Sequence, residues 1–279
     1  MIAYFNDVFT EEENLSLKIT DLSIQRGFAA FDFLRTKDFK PVFINDYLER
    51  FSHSIEMLGL ENRYTSGQLK DIVRELISKN NIAETGIKFL YTGGYSADGY
   101  RPAKPNLVIT LQPIQLTSPE KFETGSRIIT WEYQRDLPSV KSINYLMGVW
   151  LQKEIHDRQA DDVLYHRDGY ITEFPRSNIF IVTKDKKLVT PGNNVLNGIT
   201  RKKILELRES EYLAEARPVN LDELKSAAEI FMTSTTKRIL PVTQVDGVKI
   251  ADGRPGPVSV SLNNNFLAME DDYVRKFQW

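Results

Sequence analysis

Hydrophobic and polar positions switch between two periods along this chain, and the switches mark its elements. The first residues, MIAYFNDVF, alternate in part and predict a strand. Residues 30–35 predict another, with Phe31, Phe33 and Arg35 on one face and Asp32, Leu34 and Thr36 on the other. A period near 3.6 then takes over. Asn45 stands where it can cap a helix carrying Leu48, Phe51, Ile55 and Leu58 on one stripe. A second helix starting near Ser66 stripes Leu69, Ile72, Val73, Leu76 and Ile77. Strands follow at 87–92 and 107–111, separated by a loop rich in Gly and Pro.

Residues 113–125 carry two prolines and no clear period, which predicts a linker between an N-terminal domain, 1–112, and a C-terminal domain, 126–279. Beyond it the pattern predicts a strand at 127–132 and a helix at 143–159. Short strands follow at 162–166, 170–173, 178–183 and 187–190. The last elements are a helix at 199–208, a strand at 229–233, a hairpin turning at Asp246-Gly247 and Asp252-Gly253, and a final helix at 258–277. This order of elements argues for two α/β or α+β domains. No internal repeat or low-complexity tract interrupts it.

Composition narrows the function. Hydrophobic residues make up 41% and charged residues 27% of 279, enough for a sizeable core. Lys plus Arg number 36 against 38 Asp plus Glu, a net charge of -2, so there is no electrostatic footprint for nucleic acid or an anionic membrane. The absence of cysteine excludes disulfides, a catalytic thiol, iron–sulfur clusters and cysteine-ligated zinc, and it fits a cytoplasmic protein. With only His53, His156 and His166, a histidine-rich metal site is not expected. No apolar run reaches the ~18 residues of a membrane span. The start lacks the basic region and apolar core of a signal peptide. A Walker loop, a Gly-x-Gly-x-x-Gly turn and a Gly-x-Ser-x-Gly elbow are all missing.

Four segments of the second half hold the chemistry. Lys141, in Lys141-Ser142-Ile143-Asn144-Tyr145, sits at a strand–helix junction. There an amine can be desolvated enough to form a Schiff base, or can simply be a solvated lysine. Glu173 ends a strand near Arg176 in Tyr170-Ile171-Thr172-Glu173-Phe174-Pro175-Arg176-Ser177-Asn178. It can hold a proton on a ligand nitrogen, or form a plain ion pair at a turn. Asn197-Gly198-Ile199-Thr200 leads a Gly turn into a helix whose free amides and dipole favour a phosphate, and an ordinary helix start reads the same way. Thr233-Ser234-Thr235-Thr236 puts hydroxyl donors at the end of a buried strand.

In this order and spacing, the four segments resemble the class IV, fold type IV, pyridoxal-phosphate aminotransferases. That family includes D-amino-acid transaminase, branched-chain aminotransferase and aminodeoxychorismate lyase. The resemblance covers nearly the whole chain. It implies the family's two-domain α+β (α/β) architecture, with a smaller N-terminal domain and a larger cofactor-binding one. It also implies pyridoxal 5'-phosphate as cofactor, amino acids and 2-keto acids as substrates, ping-pong half-reactions, and a homodimer. Residue by residue, Lys141 matches the Schiff-base lysine and Glu173 the carboxylate that keeps the ring nitrogen protonated. Arg50, Ile199, Thr200 and Thr235, with Ser234 beside it, match the phosphate clamp. Tyr145 matches a tyrosine that hydrogen-bonds the cofactor phenol oxygen, and Asn178 falls among the cofactor-binding positions.

The chain departs from the family where substrate is gripped. Phe31-Asp32-Phe33-Leu34-Arg35-Thr36 stands in place of a Gly-Asp-Gly-Val-(Phe or Tyr)-Glu stretch. Tyr91-Thr92-Gly93-Gly94-Tyr95 lacks the arginine with which D-transaminases hold the substrate carboxylate. Arg26, Arg35 and Arg176 are therefore the candidates for an atypical carboxylate trap, with Phe28 lining the pocket. Arg176, close to the cofactor, is expected to need an anion to offset its desolvation. The expectation is a D-amino-acid transaminase. The alternatives are a branched-chain L-amino-acid transaminase, aminodeoxychorismate lyase, and, more remotely, a cofactor-binding protein without activity.

Overall fold

The computed structural model describes residues 1–207, 212 and 214–279, and these divide into two compact units. The first comprises Met1–Ile114, Val140–Asn144 and Glu270–Trp279; the second comprises Gln115–Ser139 and Tyr145–Met269. The division is therefore not the contiguous one expected around residues 113–125. Five residues bearing Lys141 join the first unit, because their backbone pairs with one of its strands. The C-terminal residues join it through side chains.

The first unit runs β1 (Ile2–Phe5), β2 (Val8–Glu11), α1 (Leu22–Arg26), β3 (Ala29–Lys37), β4 (Lys40–Pro41), α2 (Ile44–Met57), α3 (Ser66–Asn80), β5 (Gly86–Thr92) and β6 (Leu107–Gln112). Among the described residues its sheet has six strands in the order β2-β1-β6-β5-β3-β4, with every pairing antiparallel. Helix α3 starts where a capping box forms between Thr65 and Gln68, and its predicted stripe is the buried one. Helix α2 begins earlier than Asn45 suggested. Its cap is Phe43, at a left-handed φ of 55°, because the chain turns sharply out of β4 before Ile44 is buried.

In the second unit come α4 (Pro119–Thr124), β7 (Ser126–Glu132), α5 (Leu146–Trp150), α6 (Gln152–Asp157), β8 (Asp162–Arg167), β9 (Tyr170–Ile171), β10 (Asn178–Val182) and β11 (Leu188–Thr190). They are followed by α7 (Ile199–Glu206), β12 (Ala214–Ala216), α8 (Leu221–Ser226), β13 (Glu229–Ser234), β14 (Arg238–Val245), β15 (Val248–Lys249) and α9 (Pro257–Lys276), whose residues from Glu270 onward belong to the first unit. Among the described residues nine strands form one mixed sheet, ordered β12-β11-β10-β13-β14-β7-β8-β9 with β15 on β14. Ile179, Ile181, Ile230 and Met232 pack on one face of its centre. On the other face Phe180 and Phe231 stack at 5.2 Å, and α7 packs against β13.

Local signals were mostly sound. The segment expected as a linker contains α4, capped by Ser118 with Pro119 at its first position. The helix expected at 143–159 is two short helices meeting at Leu151. Asp246 and Gly247, both at positive φ, close the β14–β15 hairpin as the Asp-Gly pair predicts. The last residue expected in the 199–208 helix, Arg208, lies outside the described residues. None of the described helices is long and apolar enough to cross a membrane.

Candidate active site

Lys141 is fixed through its backbone. Its carbonyl accepts from the Phe31 amide at 2.9 Å, its own amide donates to Ser54 Oγ at 3.1 Å, and the Ile143 amide donates to the Ala29 carbonyl at 3.1 Å. The segment thus extends the ladder of β3 and needs no helix or strand of its own. Its Nζ lies 4.5 Å from the centroid of the Phe31 ring, a cation–π distance. Ser54 also donates to the Arg50 carbonyl at 3.0 Å, which ties the same corner to α2. Arg50 is buried and forked onto Asp32, with Nε to Oδ2 at 3.0 Å and Nη2 to Oδ1 at 2.6 Å. Asp32 accepts along one edge of the guanidinium and sets its plane.

The remaining first-unit candidates separate. Arg35 is buried against Glu270 on α9, also buried, as a charge pair without a well-aligned hydrogen bond. This overturns the carboxylate fork expected of Arg35, whose charge is compensated inside the chain. Arg26 is exposed on the last turn of α1, where Gly27 (φ 63°) turns the chain. A Cβ on Gly99 would lie 3.7 Å from its guanidinium, so Arg26 borders the 93–101 loop. Phe28 is half-buried over Gly93, whose added Cβ would meet its ring at 2.7 Å. That corner is braced by Asp21, fully buried, accepting from Thr92 Oγ1 and Asn106 Nδ2 at 2.8 Å each.

In the second unit Glu173 is buried just after β9. Its Oε1 accepts from Arg135 Nε at 2.8 Å, and its Oε2 accepts from the Leu196 amide at 2.9 Å and from Asn178 Nδ2 at 3.5 Å. The Glu–Arg pair legible in the sequence therefore exists with a different arginine. Arg176 is exposed in the turn closed by Phe174 and Ser177. It is solvated, so the desolvation that was to demand an anion is not there. Asn178 also donates to the Leu196 carbonyl at 2.8 Å. Arg201, buried on α7, donates to Thr190 Oγ1 and the Pro191 carbonyl. Burial pulls its pKa down, against the opposing charge of Glu173. Tyr145 is half-buried at the cap of α5.

Ile199 and Thr200 are buried at the start of α7, which no side chain caps. The preceding Gly198 is required by space, since a Cβ there would come within 2.0 Å of Asn178 Oδ1. Thr233, which pairs with Asn178 across β13 and β10, has a buried Oγ1 without a hydrogen-bond partner. Ser234 pairs with Arg238 and leads into the tight turn holding Thr235, where Ser234 Oγ accepts from the Lys237 amide at 3.1 Å. An uncapped helix start and an orphaned buried hydroxyl are the surroundings an anionic group satisfies.

A family model described as amino-transferase class IV matches residues 29–245. The chain belongs to the class IV aminotransferases. It is a pyridoxal-phosphate-dependent transaminase. D-alanine aminotransferase from Staphylococcus epidermidis is 30% identical over 271 residues, covering 94% of this chain and 95% of that protein. The Bacillus licheniformis D-alanine aminotransferase is 30% identical over 279 residues, covering 96% and 98%. Among solved structures, the branched-chain amino acid aminotransferase from Escherichia coli superposes with a TM-score of 0.89 at 23% identity, covering 100% of this chain and 97% of that one. A hypothetical aminotransferase from Mycobacterium tuberculosis in its PLP-bound form gives 0.84 at 20% identity, covering 98% of each chain. These structural likenesses bear on the fold.

For a class IV aminotransferase, the donor set fits its cofactor. An amine, a buried carboxylate and an uncapped helix start are the three kinds of group that a carbonyl, a basic ring nitrogen and a phosphate require. Among the described residues no cluster of His, Cys, Asp and Glu could hold a metal ion. Sequence reading missed the supporting partners Asp32, Ser54, Arg135 and Arg201. Asp32 meets Arg50 only because α2 packs against β3. Arg135, in the coil after β7, carries no local signal at all.

Proposed function

We propose that the chain is a D-amino-acid transaminase, moving an amino group from a D-amino acid to a 2-keto acid. The observation that carries this reading is the 30% identity to D-alanine aminotransferases over essentially both full lengths. The branched-chain enzymes, by contrast, are near in fold but lower in identity. When bound, pyridoxal phosphate supplies an electron sink that stabilises negative charge at the substrate Cα. In this reading Lys141 holds the cofactor and, once displaced by substrate, carries a proton between Cα and C4′ as base and then acid. The Phe31 face steadies its ammonium form. Glu173, braced by Arg135, Leu196 and Asn178, keeps a proton on the ring nitrogen. Arg50, the Ile199 and Thr200 amides, Ser234 and Thr235 bind the phosphate, and Tyr145 orients the phenol oxygen. Phe28 and Arg26 serve the substrate side.

We further propose a homodimer acting in the cytoplasm. Leu146, Val149 and Trp150 support the dimer, since three large apolar side chains stand exposed on one stripe of α5. The absence of cysteine suits a reducing compartment.

The test is the visible absorbance of the holoenzyme titrated with D-alanine, D-glutamate, L-leucine and L-glutamate. Bleaching by the D-amino acids alone is expected. Bleaching by L-leucine and L-glutamate instead would replace this reading by the branched-chain one, which Phe28, Phe31 and Phe33 favour as an aromatic lining. A cofactor band that none of the four bleaches would point to the lyase.

A further inference from the structure

With Arg35 paired to Glu270 and Arg176 in solvent, a cation of the first unit that stands close to Lys141 is Lys88. Lys88 lies on β5, half-buried, opposite Phe33 in the antiparallel register and diagonal to Phe31. Its Nζ is 5.9 Å from the centroid of the Phe31 ring, the same ring that Lys141 Nζ approaches at 4.5 Å. Two ammonium groups thus share one aromatic platform, no farther apart than those two distances combined. Among the described residues no carboxylate pairs with Lys88, and the ring is its one polar-type contact. Elsewhere in the first unit, Arg50 is paired with Asp32 and Lys37 with Asp271.

A half-buried ammonium that faces an apolar ring, beside a second ammonium, lacks charge compensation. A carboxylate would supply it. In an amino acid the α-carboxylate sits one bond from the carbon that Lys141 must reach, so a cation near Lys141 is placed to grip it. We propose that Lys88 binds the substrate carboxylate, in place of the arginine that Tyr91-Thr92-Gly93-Gly94-Tyr95 lacks. This rests on Lys141 being the reactive amine. The four-carbon stem of Lys88 packs along the β3–β5 surface and leaves the head free to swing toward the ligand. Phe31, under both ammonium groups, and Phe33, opposite Lys88, then give the site apolar walls.

The experiment compares wild type with Lys88→Met, which keeps length and removes charge, and Lys88→Arg, which keeps charge. Propionate binding to the holoenzyme is measured by calorimetry, and Michaelis constants are measured for D-alanine and D-glutamate, with thermal unfolding as a control on folding. Lys88→Met is expected to weaken propionate at least tenfold and to raise Michaelis constants similarly with kcat little changed. Lys88→Arg is expected to stay within about threefold of wild type. A rise for both amino acids assigns the α-carboxylate, and a rise for D-glutamate alone assigns its side chain. Unchanged propionate affinity in a folded Lys88→Met protein, or failure of Lys88→Arg to restore it, overturns the proposal. Propionate binding does not depend on turnover, so a wild-type protein that binds it but transaminates no amino acid counts against the functional reading and not against Lys88.

Discussion

Removing either partner of the Arg35–Glu270 pair tests whether Arg35 is structural or catalytic. Both side chains are nearly sealed, at 4% and 3% exposure, so water cannot compensate a charge left behind. Arg35→Leu or Glu270→Leu alone should therefore cost about 3–5 kcal/mol. At about 2–4 °C per kcal/mol for a chain of this size, each single variant should melt roughly 6–20 °C lower. The double variant removes both charges and leaves two apolar side chains in a buried site, so it should recover most of that loss. Circular dichroism melts of the four proteins give the coupling energy. Michaelis constants taken well below the melts report on substrate. The expected result is a coupling of about 2 kcal/mol or more, with Michaelis constants unchanged in all variants. Single costs that simply add, together with a raised Michaelis constant in Arg35→Leu but not in Glu270→Leu, would refute the internal pair and return Arg35 to the substrate.

Two further outcomes follow from packing and burial. Gly198→Ala pushes a Cβ to within 2.0 Å of Asn178 Oδ1, so it should destabilise by about 1–3 kcal/mol. It should also weaken cofactor retention several-fold, read by dialysis followed by cofactor titration. Burial raises the pKa of Tyr64, Tyr165 and Tyr273, the last to about 12 from its ordinary 10.0. Each keeps its proton to higher pH when folded, so its stabilising contribution is complete below pH 10 and is lost as pH rises through the folded value. Alkaline melts should therefore fall steeply above pH 10, and phenolate absorbance should appear together with the loss of ellipticity. Phenolate appearing in full near pH 10 without unfolding would contradict the burial of these rings.

The elements were legible because their signals are local. The Thr65–Gln68 box, the stripe on α3, the Asp246-Gly247 turn and the apolar strand 229–233 each act within a few residues, and the structure carries them within a residue or two. The chemistry-bearing segments were legible for the same reason: Lys141, Glu173, Gly198-Ile199-Thr200 and Ser234-Thr235 are each a short motif at an element boundary.

What the sequence could not decide was the pairing of charges distant in the chain. Glu173 had a plausible arginine three residues away, yet its partner is Arg135, 38 positions earlier. Arg35 and Glu270 meet across most of the chain, and Lys88 shares a ring with Lys141 only because β3 pairs with β5 on one side and with 141–143 on the other. Propensity, capping and period act over one turn or one strand, so the sequence by itself determined where helices, strands and reactive motifs lie. Charge compensation depends on which surfaces become buried together, and burial is a property of the folded chain, so the tertiary structure alone decided which charges are paired inside the chain.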